Sequence, residues 1–183
     1  MNASLESYLK GYNDPRIKSY FNLAQDGRDK EGNIIKEVAG VKQLNSIEGE
    51  YKGVRQGTGV ADNRYSTHSQ TAITTGSKII VMSAAEVWFL RAEAALRNYT
   101  SENVENCYKQ GITVSFAQWD ASGVSEYLES VETPAAYVDA FDKKFDADAP
   151  TSITPKWDES APLELKQERS EEHTSELQSH HEL

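Results

Sequence analysis

Residues 83–119 hold the feature that most restricts the fold, two successive stretches of helical periodicity separated by a short turn. Ser83-Ala84-Ala85-Glu86 has the form of a capping box, in which the serine hydroxyl accepts the amide three residues on and the glutamate reaches back. Met82 and Val87 stand at the two positions of a hydrophobic staple. The first helix is therefore predicted from Ala84 to about Arg97, with Asn98 as its terminating residue. Val87, Leu90, Arg91, Ala94 and Ala95 form one face, and Trp88, Phe89, Ala92 and Leu96 extend it. A helix apolar almost all round expects neighbours on several sides. The second helix is predicted to start near Ser101. Val104, Cys107, Tyr108, Gly111, Ile112, Ser115, Phe116 and Trp119 then recur at i, i+3, i+4, i+7 and i+8, a long buried stripe. Gly111 within it costs about 1 kcal/mol against alanine. Such a glycine persists where another element comes close, and the surface from Ala92 to Ala95 is the expected neighbour.

The predicted pair is an antiparallel αα-hairpin of tetratricopeptide-like size. Only one pair is visible, so its outer faces are expected to need partners absent from this sequence. The fold class is mainly α, with tetratricopeptide-like helix pairing and long irregular loops. Residues 1–40 form an opening segment, with a short amphipathic start, the turn signal Asn13-Asp14-Pro15 and a polar run, DGRDKEGN. Residues 41–77 carry five glycines and many Ser, Thr and Asn without a clear period, except for short strands expected around Ile47 to Val54. Loops of this length are usually functional or disordered. A helical zone is assigned to 79–145. After the hairpin it holds a short helix over Val124 to Ser130. Another is capped by Thr133-Pro134 and carries Tyr137, Val138, Phe141 and Phe145. Residues 146–168 read as a connector.

Composition excludes several classes. A formal charge of −10 argues against a nucleic-acid partner, because phosphate binding needs clustered Lys and Arg. No run of 18 apolar residues is present to span a bilayer as a helix, and the first residues lack the pattern of a signal peptide. The single cysteine, Cys107, falls mid-helix among apolar residues and reads as a small packed side chain. No P-loop, GxSxG or HExxH motif occurs, and no cofactor is expected.

Residues 169–180, RSEEHTSELQSH, match the in-frame translation of a short-read sequencing adapter. Residues 169–183 are therefore read as a disordered tail derived from that adapter. The distinction matters because the segment holds His173, His180 and His181, and the His173–Glu176 spacing otherwise suggests a metal site. One Arg and four Glu leave with it, so the remaining 168 residues carry −7 of the −10.

The stretch IIVMSAAEVWFLRAEAALRNYTSENVENCYKQGITVSFAQW (79–119) resembles the signature of the SusD/RagB family. The matching positions are Met82, Ser83, Ala85, Glu86, Phe89, Leu90, Ala92, Glu93 and Ala94, then Tyr108, Gly111, Ile112, Ser115 and Phe116. Asp14-Pro15-Arg16 with Tyr20-Phe21, and Tyr51-Lys52-Gly53 with Gly57, resemble the family's DPR and YxG segments. Ile153 to Trp157 resembles the segment before its "tQKWia" phrase. The resemblance implies an incomplete SusD-like fold over 1–168, about a third of a family member. It also implies a surface-exposed lipoprotein of the outer membrane in Bacteroidetes-like bacteria. Such a protein binds glycans or other nutrients and sits as a lid on a SusC-like TonB-dependent transporter. The signal peptide and lipidated cysteine of such proteins are missing from this sequence, and Cys107 is not that anchor.

Sugar capture needs a flat aromatic face for the C–H side of the ring and polar groups for its hydroxyls. Tyr51, Arg55, Asp62, Asn63, Arg64, Tyr65 and His68 offer both within one irregular stretch, and 41–77 is accordingly read as the ligand-facing zone. The bland alternative is a solvated loop whose polar residues cap turns. Glu93 is expected to pair with Arg97 at i, i+4, so Glu86 and Glu93 are not read as a catalytic pair. Asp26, Asp29 and Glu31, like Asp142, Asp146 and Asp148, fail the spacing of a calcium loop. The expected function is noncovalent capture, not enzymatic turnover. Two rivals stand beside it: a tetratricopeptide-like protein-interaction scaffold and a glycan-processing hydrolase, which would need two carboxylates across a cleft.

Overall fold

Ser83 begins the first long helix as its hydroxyl dictates, accepting the Glu86 amide at 3.1 Å. The computed structural model describes residues 1–59, 63–72, 74–77 and 80–178, with side chains as far as 171. Its helices are α1 (Ala3–Gly11), α2 (Ile17–Tyr20), α3 (Ala84–Leu96), α4 (Val104–Gln118), α5 (Val124–Leu128) and α6 (Leu163–Gln178). Strands β1 (Glu37–Val38) and β2 (Val41–Lys42) form one hairpin. The chain divides into two units, Met1–Ile73 with Pro134–Ser152, and Thr74–Thr133 with Ile153–Leu183.

The second unit is built on α3 and α4. Asn98, at φ 59°, and the Tyr99 amide bonded to the Ala94 carbonyl at 2.8 Å end α3 where the sequence predicts. Asn103 caps α4 by accepting the Asn106 amide at 2.8 Å, two residues later than expected. The two helices pack on each other. Phe89 lies beside Tyr108 and Gly111, whereas Arg91, further along α3, pairs with Glu102 ahead of α4. The chains therefore run in opposite directions. The α4 stripe is buried at Cys107, Tyr108, Gly111, Ile112, Ser115 and Phe116.

Two expectations for α3 need correction. Its buried face is narrower than predicted, comprising Ala85, Phe89, Ala92 and Ala95, while Val87 and Leu90 are 41% and 45% exposed. The partner of Gly111 is a side chain, not the alanine-lined backbone. A Cβ at Gly111 would lie 2.7 Å from Phe89 Cε1. Gly111→Ala is expected to lower stability by about 1–3 kcal/mol through overpacking, less the helix propensity of about 1 kcal/mol that alanine adds. A urea titration showing the variant as stable as the parent would mean that the Phe89 ring yields freely.

Around this pair, Phe116 meets Tyr127 of α5 at 5.1 Å between ring centroids. The Tyr108 hydroxyl donates to the Pro155 carbonyl at 2.6 Å and its ring lies 5.3 Å from Trp157. The last helix, α6, packs on α3, so one of the neighbours expected to be absent from this sequence is supplied by it. Its extent corrects two assignments, the connector to 168 and the disordered tail from 169. The helix begins at Leu163 and runs through Gln178. Its Leu, Glu, Lys, Gln and Arg are strong helix formers, Arg169 and Ser170 are buried, and Arg169 Nε donates to the Thr154 carbonyl at 3.0 Å. His180 and His181 lie outside the described residues, as does the side chain of His173.

In the first unit, Asn2 caps α1 by accepting the Leu5 amide at 2.7 Å, and Leu5 and Leu9 are buried. Ala39 and Gly40, both at positive φ, make the two-residue turn between β1 and β2. That hairpin lies earlier than the strands expected around Ile47 to Val54, where only Val54 forms a bridge, with Asn2. Asp14 and Arg16 form an ion pair with side chains 1% and 2% exposed, so the DPR segment is an internal tie. The region 134–145 is the largest departure from expectation, because no α-helix forms there. Tyr137 bridges Ala147 in an extended segment, and a 3₁₀ turn follows at Lys143–Phe145. Tyr137, Asp139, Ala140 and Phe141 are buried while Val138 is 51% exposed.

Candidate functional site

The residues singled out between 51 and 68 separate into two sets. Asp62 lies outside the described residues. Tyr51 and Arg64 are half-buried, and Asn63 and Arg55 are exposed. The Arg55 guanidinium donates to the Phe145 and Asp146 carbonyls at 3.3 and 3.1 Å, tying this loop to the returning segment. Asn63, Arg64 and Tyr65 make a single 3₁₀ turn.

Tyr65 and His68 face the other way. His68 is 2% exposed, wedged edge-to-face against Tyr65 at 5.1 Å and stacked on Phe141 at 6.3 Å. Neither ring nitrogen has a hydrogen-bond partner. Burial holds its pKa down to about 4, although the Asp139 charge pulls the other way. It is therefore a neutral core side chain, and the ligand-facing role read for it from sequence does not fit this position. The Tyr65 hydroxyl donates to Asp139 at 3.3 Å, and burial, with the Asp139 charge, pushes its pKa up to about 12.

The sequence did not mark the groups that organise this zone. Asp139 is fully buried and accepts from the Phe141 and Asp142 amides at 2.9 and 3.0 Å and from the Tyr137 hydroxyl at 3.0 Å. The single Tyr137 proton also has the Gly53 carbonyl at 3.0 Å. Burial raises the Tyr137 pKa, and Asp139 adds to it. Lys52 pairs with buried Glu6 at 2.8 Å and lies 4.5 Å over the Tyr137 ring. Glu6 also accepts the Gly53 amide at 2.7 Å. A Cβ on Gly53 would strike the Asn2 carbonyl, so the YxG glycine is required by this close approach. Glu6 and Lys52 are 46 residues apart. No local pattern could have joined them.

These groups are saturated with one another and frame the loop. At its surface Asn63 is exposed, while Tyr51 and Arg64 stay half-buried. Candidates elsewhere in the sequence have structural partners. Glu93 pairs with Arg97 at 2.7 Å, as its spacing predicts. Cys107 is 3% exposed and burial pushes its thiol pKa up. Asp29 is engaged by Asn33, and Asp146 accepts the Asp139 amide at 2.7 Å. Among the described residues no group of three or more His, Cys, Asp or Glu is placed to hold a metal, and no helix is long and apolar enough to cross a membrane.

Comparison with known proteins places this architecture. The family model described as "Susd and RagB outer membrane lipoprotein" matches residues 1–171. The chain belongs to the SusD-like family. Solved structures agree. A chitin-binding SusD homolog from Flavobacterium johnsoniae is 33% identical with a TM-score of 0.76, over 94% of this chain and 33% of its own. A SusD homolog from Bacteroides thetaiotaomicron is 28% identical with a TM-score of 0.79, over 98% and 35%. A third, from Bacteroides vulgatus, is 33% identical with a TM-score of 0.76, over 95% and 33%. No curated protein matches. The SusD-like chain spans about a third of the length of these structures, and its mainly helical fold is theirs.

Proposed function

We propose that this chain is part of a glycan-capturing lipoprotein at the surface of the outer membrane, which delivers its ligand to a SusC-like TonB-dependent transporter without covalent chemistry. The observation that carries the reading is family membership across 1–171, joined by the 33% identity to a homolog described as chitin-binding. The loop geometry is compatible with it. Half-buried Tyr51 brings an aromatic side chain and exposed Asn63 an amide donor and acceptor for hydroxyls, with half-buried Arg64 beside it. A rigid frame of buried ion pairs and carboxylate-bound amides holds that loop, which lowers the ordering cost of binding.

Calorimetric titration with chitin oligosaccharides, then with a wider glycan panel, tests this reading. Tyr51→Ala is expected to weaken binding about tenfold, and Asn63→Ala and Arg64→Ala by less. His68→Leu should leave affinity unchanged at neutral pH, because its ring is enclosed. Unchanged affinity in the Tyr51, Asn63 and Arg64 variants together would remove this surface from the account. Release of reducing ends would instead favour the hydrolase reading.

A further inference from the structure

A cleft of mixed lining lies in the first unit, beside the β1–β2 hairpin and away in sequence from the 51–68 loop. Its volume is about 340 Å³, close to the lower limit for small-ligand sites. Asp26 lies in its wall, 4% exposed, accepting from Gln43 Nε2 at 2.7 Å, Ser46 Oγ at 2.7 Å and the Ile47 amide at 2.9 Å. Burial opposes its charge, yet these donors and nearby Arg28 outweigh it and hold the carboxyl below its usual range. Asp26 thereby fixes Gln43. The Gln43 amide nitrogen spends its second proton on the Asn45 carbonyl, also at 2.7 Å. Both partners can only accept, so the amide orientation is determined. Among the described residues no donor meets Gln43 Oε1, which is left as a pre-positioned acceptor.

The remaining lining completes a pattern. Lys36 and Asn45 line the cleft, both exposed and, among the described residues, without side-chain ion pairs or hydrogen bonds. Ile34 and Leu44 add aliphatic surface that is 44% and 47% exposed. A simple carboxylate such as acetate would satisfy Lys36 but bring no donor to the Gln43 acceptor. An alkyl chain would satisfy only Ile34 and Leu44. A ring that carries hydroxyl donors and acceptors on its rim and C–H groups on its face satisfies all of them. The geometry points to a subsite for one neutral sugar residue in this cleft. The inference rests on the glycan-capture reading and adds a contact point to it.

Replacing Gln43 would take one of three donors from the buried Asp26 carboxylate and put folding at risk, so the exposed residues carry the test. The full 183-residue chain, labelled at its methyl groups and amides, is titrated with the methyl glycosides of glucose, galactose, mannose and N-acetylglucosamine. Permethylated glucose, which has no hydroxyl donors, is the control. At least one glycoside should shift the Ile34 and Leu44 methyls and the Gln43 side-chain amide. Lys36→Ala combined with Asn45→Ala should weaken that response about tenfold, and the permethylated sugar should bind at least about tenfold more weakly. Shifts confined to the loop around Tyr51 and Asn63 would overturn the subsite and leave the glycan reading standing. Silence in both regions would overturn both. Equal shifts from permethylated glucose would reduce the cleft to a nonspecific apolar contact and overturn the subsite.

Discussion

Asp139→Ala is expected to lower the stability of the first unit by about 4 kcal/mol, the cost of leaving several buried donors without an acceptor. The Phe141 and Asp142 amides and the Tyr65 hydroxyl converge on one carboxylate oxygen, and the Tyr137 hydroxyl meets the other. Alanine leaves two backbone amides unpaired beside a fully buried position. Asp139→Asn separates geometry from charge. Its retained oxygen can still take both amides. Its new NH₂ can donate to the Tyr137 oxygen, while the Tyr137 proton turns to the Gly53 carbonyl that already lies 3.0 Å away. The asparagine variant should therefore lose only about 1–2 kcal/mol. Chemical denaturation of both variants measures this. Equal losses would show that the negative charge, with Lys52 nearby, matters more than the hydrogen bonds. A loss below about 1 kcal/mol for alanine would show that solvent reaches these amides readily.

The same segment shows where the sequence could be read and where it could not. For 83–119 several signals coincided, with a capping side chain at Ser83, a left-handed terminator at Asn98, and a stripe whose burial in α4 follows its spacing, although the cap of α4 fell at Asn103 and not near Ser101. Over 134–145 the pattern was ambiguous. Tyr137, Phe141 and Phe145 fit a helix by their spacing of four, and they equally fit an extended chain whose intermediate inward position is Asp139. A hydrophobicity scan discounts that position because it is polar, although it is the most buried residue there. Deciding between the readings needs the donors that Asp139 serves, and Tyr65 is 74 residues away. The loop between 51 and 68 was legible as a place but not as two faces, because Tyr65 and His68 turn inward onto Phe141 only once that distant segment returns. The cleft beside the hairpin gave no signal, since Asp26 and Gln43 looked like ordinary loop polar residues until folding placed them 2.7 Å apart.

That inward turn has a measurable cost in acid. His68 is neutral in the fold, with a pKa near 4, against about 6.5 when exposed. Between these values the unfolded chain binds the extra proton and the folded chain does not, so stability falls as pH falls through this window. Above pH 6.5 both states are neutral at this position and it contributes no slope. The expected loss is about 2 kcal/mol by pH 5 and about 3 kcal/mol near pH 4. The groups around the ring account for the size. Burial is the largest cause, with Tyr65 and Phe141 supplying hydrocarbon and ring edge in place of water; the Asp139 charge opposes it, and Lys52 and the Met1 amine disfavour a further cation. Carboxylates held at low pKa, such as Asp26, lose stability in the same direction at more acidic pH. The comparison that isolates the histidine is therefore parent against His68→Leu. Leucine removes two buried nitrogens without partners, so the variant should match or exceed the parent at pH 7 and gain about 2 kcal/mol relative to it at pH 5. Parallel stability curves for the two proteins between pH 7 and pH 5 would show that the His68 ring reaches water or a partner in the native state, and that it is not enclosed.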